Sequence, residues 1–281
     1  MSGHALQWKI TGACVRGAGH LRRGMENQDA LAFAVPDGIG ESLIAAVSDG
    51  HGAPVHFRAA AGSALAVKAA LQILTWNVDS ADGGDLDDDL AGDIVTHWLQ
   101  LIHEDAAAAP LSADEVVLTE GRLPLAYGAT LIALRATGAI IQMLQIGDGD
   151  LLAGYPDGRI ERPLRADEGL QGEETFSLCL DGASRHFRTA TLWREEGRPW
   201  PDFLLLATDG VSKSYNDEPA FREAVAEMRS LALEDWDGLC EALPGWLEEL
   251  SAYGSGDDST LCLALRANAH QDFASTTGAM P

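Results

Sequence analysis

The sequence predicts a layered α+β fold, in which helices cover the outer faces of antiparallel sheets whose inner faces pack together. Three observations favour this class. Apolar runs of strand length recur along the chain and end in Gly or Asp. Several runs are joined by turns too short for a helical crossover, and longer helical patterns lie between the strand blocks. With 281 residues, 46% of them hydrophobic, the chain can bury the core of one large domain.

Seven segments have the composition of strands. In chain order they are ALAFAVPDG (30–38), SLIAAVSDG (42–50), GATLIALRATG (128–138), AIIQMLQIGDG (139–149), LLAGYPDGRI (151–160), FLLLATDG (203–210) and STLCLALRA (259–267). The links PDGI, ATGA and PDGR are tight-turn sequences, which connect antiparallel neighbours. A parallel, doubly wound sheet is therefore disfavoured.

Four segments are predicted to be helices, at 53–76, 87–109, 217–231 and 235–252. The acidic stretch DSADGGDLDDDL (79–90) precedes the second of them, where carboxylates interact favourably with the helix dipole. We interpret this stretch as a solvated loop rather than as a metal site. The predicted domain covers residues 1–267, and the polar, aperiodic segment 268–281 is predicted to be a flexible tail.

The charge balance limits the choice of partners. The chain has 43 acidic and 19 basic residues, a formal net charge of −24, which repels nucleic-acid backbones and anionic lipid surfaces. We therefore expect neither nucleic acid nor membrane as a partner. No run approaches the ~20 apolar residues of a spanning helix, and the first twenty residues lack the basic start and apolar block of a signal peptide. The expected location is cytoplasmic.

Aspartates recur at strand ends next to glycine. They are Asp49 in AAVSDGHG, Asp148 in LQIGDGD, Asp209 in LLLATDGV and, just before the last strand, Asp257 in GSGDDST. Asp-Gly is also ordinary turn chemistry, so each one alone is weak evidence. The four aspartates together indicate carboxylates that project from a rigid scaffold into one loop-lined cleft. Because crowded carboxylates repel, they favour hard divalent cations such as Mg²⁺ or Mn²⁺.

Six motifs occur along the chain in a recognisable order. They are GHLRRGMENQDAL (19–31), VSDGHGA (47–53), YGATLIAL (127–134), QIGDGDLL (145–152), LLLATDGVSKS (204–214) and GSGDDSTLCLAL (254–265). Over about residues 10–267, their order and approximate spacing resemble those of the metal-dependent, type 2C protein serine/threonine phosphatases. The resemblance implies a four-layer αββα sandwich of two antiparallel sheets flanked by helices. It also implies an enzyme that uses two Mn²⁺ or Mg²⁺ ions, with a third as an option.

The same resemblance implies roles for individual residues. Asp49 would bridge the two metal ions, and Gly50 would offer its carbonyl oxygen. Asp209 and Asp257 would complete the first metal site. Asp29, from NQD, would hold a water molecule of the second metal.

Two further residues complete the implied site. Asp148 would serve a third, weaker metal, and His51 matches the general acid of the family. The implied reaction is in-line attack of a metal-activated water on phosphorus, without a phosphoenzyme. A serine or threonine alkoxide is a poor leaving group unless it is protonated, which is the role implied for His51.

The chain departs from the family pattern at several positions. The acidic ligand usual before the NQD aspartate is replaced by Gln28, a neutral oxygen donor, which predicts weaker binding of the second metal. Asp150 stands where the family has an arginine, and the segment 161–200 carries no motif with an evident chemistry. That segment is a candidate for substrate choice.

The phosphate-binding arginine is also displaced. The family commonly has it five residues before the NQD aspartate, where this chain has Gly24. Arg23 or Arg22 must then take its place, or His20 assists.

These features predict a Mg²⁺- or Mn²⁺-dependent phosphatase acting on phosphoserine and phosphothreonine in proteins phosphorylated by a serine/threonine kinase. One alternative is a catalytically impaired relative that acts as a phosphoprotein-binding regulatory module. Gln28 and the displaced arginine support that alternative, whereas the intact aspartates and His51 count against it. Another alternative is a phosphatase for small phosphate esters.

Overall fold

A computed structural model of the chain describes residues 6–76, 87–165 and 175–268. In chain order its elements are β1 (Leu6–Val15), α1 (Ala18–Arg23), β2 (Ala30–Ala34), β3 (Leu43–Ser48), α2 (Ala59–Trp76), α3 (Asp87–Ala108), α4 (Ala113–Leu118), α5 (Leu123–Ala126), β4 (Leu131–Ala136), β5 (Ile140–Ile146), β6 (Asp150–Gly154), β7 (Ile160–Glu161), a 3₁₀ turn (Ala183–His186), β8 (Arg188–Trp193), β9 (Phe203–Ala207), α6 (Asp209–Ser212), α7 (Glu218–Glu234), α8 (Trp236–Tyr253) and β10 (Ser259–Asn268).

The strands of the described residues form two five-stranded sheets. The first has the order β1-β10-β9-β6-β7 and the second the order β2-β3-β4-β5-β8. Every pairing in both sheets is antiparallel. The hairpin turns ATGA and PDGR connect β4 to β5 and β6 to β7, as their sequences predict.

The inner faces of the two sheets bury one apolar layer between them. Leu43, Ala45 and Val47 of β3 pack against Leu204 and Leu206 of β9 within a single cluster. The alternate residues of β3, which include Ile44 and Ala46, face the opposite side of the sheet and are equally buried. Burial of both faces explains why these antiparallel strands are continuously apolar rather than alternating.

Helices cover both outer faces, so the predicted four-layer αββα sandwich is confirmed. α2 and α3 pack on the second sheet through a cluster that contains Leu74, Trp98 and Leu131. α7 and α8 pack on the first sheet through a cluster that contains Val225 and Leu247. No helix in the described residues is long and apolar enough to cross a membrane.

The structure adds elements that the sequence analysis did not predict. β1 and β8 each form a sheet edge, and edge strands are less buried, so their sequences carry more polar residues and a weaker apolar signal. α2 begins at Ala59 rather than at residue 53, because residues 53–58 form turns around Pro54. Most of the acidic stretch 79–90 and the predicted tail, apart from Asn268, lie outside the described residues.

Candidate active site

The strand ends bring the predicted aspartates to one edge of the sandwich. Asp29 precedes β2 and Asp49 follows β3, and these strands pair with Ala30 opposite Ser48. In the other sheet, Asp209 follows β9 and Asp257 precedes β10. Asp148, the fifth, follows the end of β5. Adjacent antiparallel strands thus place segments that are distant in sequence at the same end of the fold.

Asp49 lies at the electrostatic centre of this group. Burial, followed by the negative charges of four neighbours, raises the pKa of its carboxyl well above the usual range; the neighbours are Asp29, Asp209, Asp257 and Asp148. Five of the six predicted metal-site residues therefore interact through their side-chain charges. A cation among them would relieve that repulsion.

Asp29 is buried and held by a threonine from the other sheet. The Thr208 hydroxyl donates to Oδ2 of Asp29 at 2.7 Å and accepts from the Thr260 amide at 3.0 Å. Burial raises the pKa of Asp29 to about 8, and the hydrogen bond from Thr208 only partly opposes that shift. Thr208 therefore couples the start of β2 to the end of β9 and the start of β10.

A lysine lies among the aspartates. The ammonium group of Lys213 contacts Oδ2 of Asp209 and lies 3.8 Å from Oδ2 of Asp148. Burial, and next the charge of Asp148, raises the pKa of Asp209 to about 6, with Lys213 acting in the opposite direction. The Thr175 hydroxyl donates to Asp148 at 3.2 Å.

Asp258, next to Asp257, connects the start of β10 to the segments that contain Gly17 and Gln28. Its carboxylate accepts from the Gly17 amide at 2.6 Å and from the Gln28 amide at 2.7 Å. His20 is buried beside it, with Nδ1 2.8 Å from Asp258 and Nε2 3.5 Å from Asp257. His20 thus lies against two carboxylates, and its part in holding phosphate stays a prediction.

The backbone packs tightly around Gly50. The Gly50 amide donates to the Gln28 carbonyl at 3.1 Å, and the Ser63 hydroxyl donates to the same oxygen at 2.5 Å. A Cβ on Gly50 would lie 2.6 Å from that oxygen and 2.8 Å from the Ala59 carbonyl oxygen. Only glycine fits between these segments, which fixes the loop that carries Asp49.

His51 packs against a second histidine. The ring centroids of His51 and His56 are 5.1 Å apart, and Nδ1 of His56 lies 2.5 Å from the Leu125 carbonyl, to which it donates. Gly128 makes room for both rings, since a Cβ there would lie 2.4 Å from His56 Nδ1 and 2.9 Å from His51 Cδ2. Burial, followed by His56, lowers the pKa of His51 to about 4, whereas Asp148 opposes the shift.

Arg22 and Arg23 line a cavity of about 300 Å³ together with Asp257. Nε of Arg23 donates to the Gly19 carbonyl at 3.2 Å, which leaves the rest of its guanidinium available. Helix α1 ends after these arginines at Gly24, whose positive φ of 69° suits glycine. Both candidate phosphate anchors therefore lie beside one of the predicted metal-site residues.

Asp150 is directed elsewhere. Its carboxylate contacts Arg162, which also donates to Glu218 at 2.8 Å. At this position, where the chain departs from the family pattern, Asp150 thus pairs with Arg162, which in turn links β6 to Glu218 at the start of α7.

The oxygen donors at this edge suit Mn²⁺ or Mg²⁺, which prefer carboxylates and backbone carbonyls. Four neighbouring aspartates raise the pKa of Asp49, and a bound divalent cation would offset this repulsion. As the side chains stand, no three His, Cys, Asp or Glu residues of the described ranges are clustered closely enough to hold a metal ion.

Comparison with known proteins assigns the family. Residues 16–248 match the family described as Protein phosphatase 2C. The chain belongs to the protein phosphatase 2C family. Comparison with curated proteins gives no significant match.

Solved structures of the protein phosphatase 2C type share the fold. The catalytic domain of the serine threonine protein phosphatase PstP, in complex with two manganese ions, is 20% identical, with a TM-score of 0.56 and coverage of 94% of this chain and 100% of that one. The Mycobacterium tuberculosis phosphatase PstP/Ppp is 18% identical, with a TM-score of 0.57 and coverage of 93% and 99%. PppA of Pseudomonas aeruginosa is 17% identical, with a TM-score of 0.57 and coverage of 92% and 98%.

The sequence analysis did not identify several residues that shape this candidate site. The contact of Lys213 with Asp209 could have been predicted, because the two residues are four apart in a segment that forms a helical turn. No local sequence pattern indicated the roles of His56 and Thr208, because their partners Leu125 and Asp29 are 69 and 179 residues away.

Proposed function

We propose that this chain hydrolyses phosphoserine and phosphothreonine in proteins with the help of Mn²⁺ or Mg²⁺. The observation that carries the proposal is the group of four aspartates whose charges act on Asp49, beside His51. Membership of the protein phosphatase 2C family supports it. The two manganese ions in the related PstP structure support the choice of metal.

The proposed metal ligands are those of the sequence analysis. Asp49 and the Gly50 carbonyl would hold the metals jointly with Asp209 and Asp257, while Asp29 would act through a water molecule. Asp148 is the candidate for a third, weaker site. When bound, the metal ions would supply Lewis-acid activation of water and neutralise charge on the phosphate.

The chain's own side chains supply the remaining functions. His51 would donate a proton to the departing serine or threonine oxygen. In the free protein its lowered pKa keeps it neutral at pH 7, and the negative charge of a bound phosphate would favour the protonated form. Arg22 or Arg23, which line the cavity beside Asp257, would hold the phosphate oxygens.

A phosphoprotein-binding module without turnover is the second candidate. Gln28 in place of a carboxylate, together with Lys213 at Asp209, favours it. Both features weaken the attraction of the site for cations. The two candidates differ in a single measurable property, metal-dependent turnover.

Turnover of a substrate panel tests the proposal. The purified chain is treated with EDTA, then assayed with Mn²⁺ or Mg²⁺ on phosphothreonine, phosphoserine and phosphotyrosine peptides and on p-nitrophenyl phosphate. We expect no activity in chelator, recovery with metal, and preference for the phosphothreonine and phosphoserine peptides over phosphotyrosine.

Each contrary outcome has a distinct meaning. Full turnover in chelator would refute the metal-dependent mechanism. Phosphopeptide binding without turnover at saturating Mn²⁺ would support the binding module. Turnover confined to p-nitrophenyl phosphate would favour small phosphate esters as substrates.

A further inference from the structure

A cavity lies far from the aspartates, beside the other end of β10. Its volume is about 660 Å³, and its lining includes Arg194, Trp200 and Arg266. Asp257 precedes β10, whereas Arg266 lies near the end of that strand. Nine residues of extended strand span about 30 Å at ~3.3 Å per residue. The cavity is therefore separate from the candidate active site.

Buried hydrogen-bond donors that lack acceptors lie at the cavity and next to it. Arg266 is only 8% exposed, yet no described residue accepts from its Nε. The indole nitrogens of Trp200 and Trp8 are likewise buried without a partner in the described ranges. Trp8 is the cross-strand neighbour of Arg266, whose guanidinium carbon lies 5.9 Å from the centroid of the indole ring. Because unpaired buried donors are costly, a missing acceptor is indicated.

The positive charge of Arg266 is not neutralised by a carboxylate in the described structure. Asp202, whose carbonyl accepts from the Arg266 amide, directs its carboxylate to Arg229, with contacts of 2.8 and 2.5 Å. Glu195 pairs with Arg198 at 3.0 Å. The carboxylates beside the cavity are thus largely committed to other arginines.

A second guanidinium adds to the positive charge. Arg194 donates to the Gly138 carbonyl at 3.3 Å, a contact that leaves its charge in place. Burial, followed by the charge of Arg194, lowers the pKa of Arg266. Of the three arginines that line the cavity, Arg194 and Arg266 form no ion pair with a carboxylate of the described residues, whereas Arg198 pairs with Glu195. Glu196 lies at the exposed rim, where water screens its charge.

We propose that this cavity binds a small anionic ligand through a phosphate or carboxylate group. The guanidinium groups of Arg266 and Arg194 neutralise the anion, and the indole N–H of Trp200 donates to one of its oxygens. Donors with no acceptor select a ligand rich in acceptors, and a guanidinium fork fits an oxyanion in two-point geometry. The site is independent of the proposed phosphatase reaction.

Nuclear magnetic resonance of the ¹⁵N-labelled full chain tests the site directly. The chain has seven tryptophans, whose indole N–H signals are resolved from the backbone. Trp200→Phe assigns the indole signal at the cavity, and Trp8→Phe assigns that of the indole next to Arg266. Inorganic phosphate and succinate are titrated separately in EDTA, with sodium chloride at matched ionic strength as the reference.

We expect a saturable shift of the Trp200 indole signal with a Kd on the order of 1 mM or tighter. Arg266→Gln and Arg194→Gln should each weaken binding about tenfold or more, since a charge-assisted hydrogen bond contributes about 1.5–3 kcal/mol. Arg185→Gln, an exposed arginine on the 3₁₀ turn, should leave Kd unchanged.

The two probes identify the chemistry of the ligand. A response to phosphate alone indicates a phosphorylated ligand, and a response to succinate alone indicates a carboxylate. Absence of a saturable shift with both, or equal binding by Arg194→Gln and wild type, would overturn the proposal. Because Arg194 is exposed, its variant gives an answer even where Arg266→Gln fails to fold.

Discussion

The ammonium group of Lys213 contacts the carboxylate of Asp209, one helical turn earlier in the chain. Burial lowers the pKa of Lys213, but the hydrogen bond to Asp209 and the charges of Asp209, Asp148 and Asp49 outweigh burial and raise it overall, so the ammonium group stays charged at neutral pH. A cation supplied by the chain itself therefore already balances part of the charge at the proposed metal site. A metal ion that uses Asp209 must compete with it.

Lys213→Met should therefore strengthen Mn²⁺ binding. A half-exposed ion pair contributes up to about 1 kcal/mol, so the expected gain in affinity is about two- to fivefold. Calorimetric titration of the chelator-treated protein measures it. Lys68→Met, on the exposed face of α2, makes the same change in net charge and should have little effect. Equal changes in both variants would show that Lys213 acts only through net charge.

Asp49→Asn should make the metal-free protein more stable, although it removes activity. The substitution removes a carboxyl group whose pKa is raised well above its usual range by burial and by four neighbouring aspartates, so at pH 7 folding no longer carries the free-energy cost of that raised pKa. The melting temperature in EDTA should rise by roughly 2–4 °C for each kcal/mol of repulsion removed. The stabilisation that Mn²⁺ gives the wild type should be lost. Asp93→Asn, an exposed aspartate on α3, is the control; a lower melting temperature for Asp49→Asn would contradict the electrostatic account.

His51→Ala should affect substrates according to their leaving group. An alkoxide needs a proton, whereas p-nitrophenolate leaves unaided, so the loss should be ~10²–10⁴-fold on a phosphothreonine peptide and smaller on p-nitrophenyl phosphate. Steady-state kcat on both substrates decides the matter. His103→Ala, on the exposed face of α3, should leave both rates unchanged. Equal losses on the two substrates would indicate that His51 only supports its loop.

Gly128→Ala should displace the histidine pair. The added Cβ would lie 2.4 Å from His56 Nδ1 and 2.9 Å from His51 Cδ2, so the rings must shift. Overpacking of this kind costs about 1–3 kcal/mol, and kcat on phosphothreonine peptide should fall with it. Gly92→Ala, in α3 with open space around it, should instead stabilise by about 0.5–1 kcal/mol. Wild-type stability and turnover in Gly128→Ala would refute the proposed packing.

Gln28→Glu should lower the Mn²⁺ concentration needed for half-maximal activity. The carboxylate adds charge beside the proposed second metal, while the backbone hydrogen bonds of residue 28 to Asp258 and Gly50 are unaffected. In chelator the same variant should melt at a lower temperature, because the new charge adds to the repulsion. Unchanged Mn²⁺ affinity in calorimetry would place residue 28 outside the metal site.

The sequence by itself determined the layered α+β architecture. The continuously apolar runs around Ile44, Leu134 and Leu205 predict strands buried on both faces, because the period of a strand and the chemistry of its turns are local properties. For the same reason Asp49 and Asp209 were found, since each follows an apolar strand at a glycine. The weaker signals of β1 and β8 were missed, because an edge strand is not buried enough to require continuous apolar residues.

Only the tertiary structure decided which side chains meet. Thr208 donates to Asp29 across 179 residues of sequence, and His20 is buried against Asp258. The pairing of Trp8 with Arg266 joins the two ends of the described chain in one sheet. Such contacts depend on how whole layers of secondary structure pack against each other. Local periodicity specifies which face of a helix or strand is buried, but it does not specify which distant residue lies against that face.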